Sequence, residues 1–351
     1  MRFRSAWLAV SLHFLFSTSS VYAQALRRIG VIAPLSGTAA SWGNDVRKVL
    51  TYANTELFSK EVELIFEDDG CLGQRAVTAL HKLIDIDHID AAMVVCTESV
   101  LATAPIFEQK KIIVIAPAAS GASISQAGDY IFRTWPSDAA AARLLVQDLS
   151  QYFQKVALLS EERGFPEELT QAFLSASSGT LEVTTERFMS EATDFRTLLL
   201  RLRASQAKAL FINVNGEATF ATIVKQLKSI QWQPHIYGVY LPGNKAFREL
   251  AGSLAEGITF VDSPGAENLT TEGRELYANY VKHFGTLESS PFVFPAAIEA
   301  LRLLVPKESS ATTKDRLYHT TFKGIFGSFS FDRYGDLVGP RHVLKTIGHL
   351  K

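Results

Sequence analysis

RIGVIA (residues 28–33), NDVRKVLTYANTELF (residues 44–58) and VELIFE (residues 62–67) follow one another near the start of the chain. The first and third are short apolar runs and read as strands; the second reads as an amphipathic helix. A strand, a helix and a strand in that order predict parallel pairing with a crossover between. The rhythm continues with a helix over 75–86, a strand over 91–95, a helix over 101–109 and a strand over 112–115. It restarts with strands at 155–160, 181–187, 209–213 and 236–239, separated by helices at 167–175, 194–203 and 218–230. In the middle helix Leu198, Leu199 and Leu202 form a core stripe at helical spacing. Such alternation predicts parallel sheets covered by helices on both faces.

Two junctions interrupt the pattern. At Pro136-Ser137-Asp138 the proline restricts Trp135, and Ser or Asp can cap a following helix. Residues 261–265, VDSPG, form the second, followed by helical patterns at 272–283 and 295–304. FGSFSFDRYGDLVGP (residues 326–340) alternates aromatic and polar residues around turn formers, as a terminal hairpin would. No repeat or low-complexity segment interrupts the chain. The expected fold is α/β: two doubly wound parallel-sheet lobes joined by several crossings. Residues 26–136 and 262–328 form lobe one, and 137–261 and 329–351 form lobe two. Such an arrangement leaves a cleft at the strand ends, where open α/β sheets bind ligands.

The first 25 residues read as an export signal. Arg2 and Arg4 precede an eleven-residue apolar stretch, residues 6–16, and the cut falls after Ala23 or Ala25. That stretch is too short to cross a bilayer, which needs about 20 residues. No cysteine lies near the cut, so no lipid anchor is expected. Without Arg2 and Arg4 the chain keeps 33 basic and 36 acidic side chains, a net charge of −3. No basic run suggests nucleic acid, and about 326 residues suit two cores.

Cys71 and Cys96 are the only cysteines. In an oxidising compartment a lone pair usually forms a disulfide, and this one would stabilise the fold by about 3.5 kcal/mol on the chain-entropy model. A reactive thiol is the alternative. No His sits at metal-ligand spacing from either.

VVCTES (residues 94–99) and IVIAPAASGASIS (residues 113–125) each carry hydroxyls where an apolar run gives way to a helix. First-turn N–H groups lack partners there and carry partial positive charge, so two such loops can hold a small carboxylate. Enzyme signatures are missing: no GxGxxG after a strand, no phosphate-loop Lys, no HExxH and no GxSxG. Ser120-Gly121 follows a strand, but Pro117-Ala118-Ala119 does not suit a nucleophile turn. His81 and His88 are isolated, and Asp68-Asp69 read as turn residues before Cys71. The sequence therefore predicts a receptor without catalytic residues, metal or cofactor.

The chain resembles the leucine/isoleucine/valine-binding proteins, periplasmic receptors of ABC importers, over nearly its whole mature length. The motifs are IGVIAPLSGTAASWG (29–43), EDDGC (67–71), IAPAAS (115–120), DYIFRTWPSD (129–138), TDFRTLLLRLRASQAKALFIN (193–213) and ELAGSLAEGITFV (249–261). The resemblance implies a type I periplasmic binding protein: a monomer whose two lobes close on a solute and dock on an inner-membrane permease. It implies that Cys71 and Cys96 pair. It places carboxylate contacts at Thr97, Ala118, Ala119 and Ser120, with Trp42 over the site. A ligand-presenting subunit for a periplasmic sensor is the alternative role.

Lobe two departs from the family pattern. Phe165 stands where a Tyr is common, Pro166 follows in place of a Gly, and the ligand loop after residue 213 offers Asn215. The acid that pairs with an amino acid's ammonium falls on Tyr240. Glu98, Glu217 and Asp262 are the candidate substitutes; otherwise the ligand has no ammonium. The expected solute is a branched-chain-type amino acid or an apolar or aromatic acid, with Trp42, Phe165 and Tyr240 as stacking surface.

Overall fold

A computed structural model describes residues 26–265 and 268–348. The expected leader, with either cut site, lies outside the described residues. The chain begins β1 (Arg27–Ala33), α1 (Ala40–Glu56), β2 (Val62–Asp68), α2 (Gly73–Asp85), β3 (Ala91–Val94), α3 (Thr97–Lys110), β4 (Val114–Ala116) and β5 (Ile131–Arg133). It continues α4 (Asp138–Tyr152), β6 (Lys155–Glu161), α5 (Gly164–Ser177), β7 (Glu182–Phe188), α6 (Arg196–Ala204), β8 (Ala209–Asn213), α7 (Glu217–Ser229), β9 (His235–Val239), α8 (Lys245–Ala251) and β10 (Thr259–Asp262). The last part is α9 (Thr271–Phe284), α10 (Val293–Leu304), α11 (Ser310–His319), β11 (Phe322–Gly324), β12 (Gly327–Phe331), β13 (Leu337–Val338) and β14 (Val343–Thr346).

The strands form two main sheets. The first has the order β2-β1-β3-β4-β5, all parallel. The second has the order β14-β10-β9-β8-β6-β7, parallel except for β14, which runs antiparallel to β10. β3 (AAMV) and β8 (ALFIN) are buried at every residue, as central strands covered on both faces require. The helices lock on through apolar stripes. Val46, Val49, Leu50 and Ala53 are buried on α1, which packs against α10.

Each sheet reverses its strand order at one place, between β1 and β3 in the first and between β6 and β8 in the second. Loops leaving two such strands diverge to opposite faces and open a crevice at their carboxyl ends. The fold therefore supplies two crevices, one per sheet.

Three details differ from the sequence reading. α1 and α3 each start four residues earlier than expected: α1 runs through Gly43, and α3 follows β3 after only two residues. The strands β5, β10, β11 and β14 and the helices α8 and α11 have no counterpart in the sequence reading. The expected division at 328/329 falls inside β12, which pairs with β11 and β13 in a separate three-stranded sheet. The chain returns to the second sheet only between Val338 and Val343. Three crossings thus connect the main sheets, after β5, after β10 and before β14. The expected hairpin is present as β12 and β13, with Phe331 opposite Leu337.

Candidate functional site

A cleft enclosing about 650 Å³, its mouth included, opens between the two crevices. The ends of β3 and β4 place Thr97, Ala118 and Ser120 on one wall, and the first turn of α1 adds Trp42. The ends of β6 and β8 place Phe165 and Asn215 on the other, with Tyr240 at the back. Ala119 is buried beneath this lining and is not part of it. The other seven expected ligand residues, more than a hundred positions apart in places, share this one space.

Local hydrogen bonds decide what each offers. Thr97 is the first residue of α3, whose cap residue Cys96 supplies no side-chain acceptor. Thr97 Oγ1 accepts the N–H of Gly121 at 3.1 Å, so its own hydrogen remains free for the cleft. A Cβ on Gly121 would fall 2.3 Å from Thr97 Cγ2, so only glycine allows this approach. Among the described residues no group accepts the N–H of Ala118, Ala119 or Ser120. The Ser120 hydroxyl is engaged with Asp138, Oγ to Oδ2 at 2.9 Å. Neither hydroxyl is a helix cap.

The positive ends of helices add to these donors. α1, α3 and α5 all begin at the cleft, and none has a side-chain cap. α7 begins two residues after Asn215 and is also uncapped. Unpaired N–H groups at such ends favour an anion by roughly 0.3–1 kcal/mol each where exposed, and more where water is excluded.

Aromatic rings form the rest of the wall. Trp42 lies edge-on to Trp135 at 5.7 Å and to Tyr240 at 6.4 Å. Phe165 lies 5.9 Å from Tyr240. Gly43, next to Trp42, packs so tightly on Pro34 that a Cβ would sit 2.1 Å from its carbonyl oxygen, which fixes the start of α1. Trp135 and Leu241 also line the cleft and were not singled out from the sequence.

The candidate counter-charges are all engaged. Asp262 is buried and paired with Lys345 at 3.0 Å. Glu217 is buried, accepts from Asn244 at 2.8 Å, and burial raises its pKa. Neither lines the cleft. Glu98 does, but it accepts the N–H of Gly73 at 3.2 Å and faces Arg163 Nε at 3.9 Å.

Arg163 is a cleft-lining residue that the sequence does not single out. It stands at the cap position of α5 and reaches across the mouth to Glu98 and to the carbonyl of Gly70, at 3.4 Å. Ser123 N–H makes a second crossing contact, to Glu168 of α5 at 2.9 Å. The Cys71–Cys96 disulfide forms, with Cα atoms 5.4 Å apart, and lines the cleft beside Thr97. Asp69 braces it, accepting from Cys71 N–H at 2.9 Å and from the Ser99 hydroxyl of α3.

A cleft between two doubly wound sheets, lined by free donors and rings, is built to hold a small solute. A profile of the periplasmic binding protein family matches residues 27–335. The chain belongs to the periplasmic binding protein family. Among characterised relatives, the Leu/Ile/Val-binding protein homolog 3 of Brucella melitensis is 22% identical over 329 residues, covering 89% of each chain. A leucine-binding protein of Thermotoga maritima shares the fold with a TM-score of 0.82 at 19% identity, over 92% of this chain and 96% of that one. A solute-binding protein of an ABC transporter from Rhodopseudomonas palustris BisB5, solved with 3,4-dihydroxybenzoic acid, gives 0.80 at 20% identity, over 93% and 94%.

Proposed function

We propose that this binding protein captures a small carboxylate with an apolar or aromatic body in the periplasm, and delivers it unchanged, as a monomer, to an inner-membrane ABC permease. The observation that carries the reading is the mismatch of polar groups in the cleft. Donors without partners face it from Thr97, Ala118 and Ser120, whereas among the described residues the one carboxylate lining it, Glu98, is engaged. A buried ammonium without a counter-charge costs several kcal/mol, each 1.4 of which is a tenfold loss of affinity. An amino acid would have to draw Glu98 away from Arg163; an aromatic acid makes no such demand. Family members of both kinds exist, since the relatives above include one named for leucine and one solved with a dihydroxybenzoic acid.

Within this reading Thr97 and the N–H groups of Ala118 and Ser120 hold the carboxylate. Trp42, Phe165 and Tyr240 enclose the body, and Asn215 and Arg163 approach its far end. Calorimetric titration with benzoate, 3,4-dihydroxybenzoate and leucine tests it. Benzoate-type acids are expected to bind more tightly than leucine. Tight leucine binding with no heat from the acids would refute it.

A further inference from the structure

Asp138 is fully buried where the chain first leaves the five-stranded sheet. Its oxygens meet one hydroxyl each: Ser120 Oγ lies 2.9 Å from Oδ2, and Tyr240 Oη lies 2.9 Å from Oδ1. Both hydroxyls belong to residues lining the cleft. Tyr240 Oη also lies 2.7 Å from His342 Nε2, at the last crossing. The buried acid is therefore one hydroxyl away from the place where a solute carboxylate would sit.

A serine hydroxyl has one hydrogen to give. While Asp138 is ionised, Ser120 directs that hydrogen at Oδ2 and shows the cleft only lone pairs. A solute carboxylate would then meet lone pairs, with a second negative charge just behind them. A proton on Oδ2 reverses the arrangement. The acid donates to Ser120 Oγ, and the serine hydrogen turns into the cleft.

We propose that Asp138 is a positioning residue that takes up one proton from solvent as a carboxylate solute is captured, converting Ser120 from an acceptor to a donor toward the bound anion. The proton returns to solvent on release. This rests on the carboxylate reading of the site.

The surroundings agree. Burial dominates at Asp138 and raises its carboxyl to about 7, so little extra negative charge is needed to protonate it near neutrality. Arg133 of β5 opposes this, but its guanidinium donates to the carbonyls of Ser120 and Gly121, at 2.9 and 2.7 Å, and pairs with Asp336 at 2.7 Å. Glu168 of α5 adds to the upward shift. Asp262 of β10 and Lys345 of β14, on the strands against which α4 packs, are paired with each other. His342 is no rival acceptor, since burial, with Arg133 nearby, pushes it down to about 3.

Benzoate titration in buffers of different ionisation heat, over about two pH units either side of neutrality, tests the proposal. Wild type should take up close to one proton per benzoate above neutrality, and its affinity should fall about tenfold per pH unit there. In Asp138→Asn, which holds the position neutral, both effects should vanish while binding persists. The wild-type measurements stand on their own if the variant folds poorly. Benzoate binding with no proton uptake, or an unchanged pH slope in Asp138→Asn, overturns this proposal alone. Absence of benzoate binding at every pH overturns the carboxylate reading and this proposal with it.

Discussion

Thr97→Val separates a ligand hydroxyl from a merely structural one. The substitution keeps the branched shape and removes one oxygen, with two distinct consequences. The N–H of Gly121, 3.1 Å from that oxygen and buried, loses its acceptor. A buried unsatisfied donor costs about 1–3 kcal/mol, so stability should fall by that amount. Independently, the solute carboxylate loses a donor. A hydrogen bond to a charged group is worth about 1.5–3 kcal/mol, which predicts a roughly 10- to 150-fold loss of benzoate affinity. Thr97→Ser restores the hydroxyl and should return affinity to within a few-fold of wild type. Urea unfolding reads the first effect and calorimetric titration the second. Stability lost with affinity unchanged in Thr97→Val would refute the ligand role, leaving the hydroxyl as a brace for the Gly121 turn.

Opening the Cys71–Cys96 bond by Cys96→Ser should lower stability by about 3.5 kcal/mol and the melting temperature by on the order of 10 °C. Because both cysteines line the cleft, benzoate affinity should fall too; unchanged melting would count against the bond. Arg163→Ala should alter stability by less than about 1 kcal/mol, as its pair with Glu98 is partly solvated. It should nevertheless enlarge the solute-free protein in small-angle scattering, and an unchanged radius would remove its cross-cleft role. Asp138, raised from 3.8 to about 7, contributes stability that is full below 3.8 and lost as pH rises through 7. His342, lowered from 6.5 to about 3, contributes stability that is full above 6.5 and lost as pH falls toward 3. The two slopes, each about 1.4 kcal/mol per pH unit, should cancel between about pH 4 and 6.5. Asp138→Asn should then lose stability on acidification and His342→Gln on alkalinisation, and flat urea midpoints in both would refute the assignment.

Much of this fold is legible in the sequence, because parallel strands buried on both faces are written as continuous apolar runs. Ala209–Asn213 shows this most directly, its expected and observed limits being the same. Helix starts are harder to read. The apolar period of α3 is visible only from Leu101, whereas its first turn, Thr97-Glu98-Ser99-Val100, looks like a polar loop. β14 escapes because it pairs antiparallel at an edge and alternates between partly buried and exposed residues. The hydroxyl loops of the site announce themselves by following strands directly. Arg163 gives no such sign: in Glu161-Glu162-Arg163 a cation beside acids reads as solvated surface, and only the approach of α3 to α5 brings Glu98 opposite it. In the sequence Asp138 reads as a candidate cap. Ser137 takes that role, accepting the N–H of Ala139, and frees Asp138 to turn toward a tyrosine 102 positions away.

Tyr240 explains why the selectivity of the cleft and the joint between the sheets are hard to alter separately. Its backbone lies at φ +55° and ψ −60°, a strained conformation costing about 1–3 kcal/mol, which persists only where the surroundings enforce it. They do so from several directions. Its N–H donates to Val261 at 2.8 Å and its carbonyl accepts from Gly243 at 2.9 Å. Its ring packs against Trp42, Trp135, Phe165 and His342, which come from both sides of the cleft and from two of the three crossings. Replacing it by Asp, to restore a counter-charge for an ammonium, would strip those ring contacts. It would also leave Asp138 and His342 without their shared hydroxyl and set a second buried carboxylate near the first. Tyr240→Asp should therefore weaken benzoate binding without creating leucine binding, since the ring that walls the cleft is also the piece that ties its crossings together.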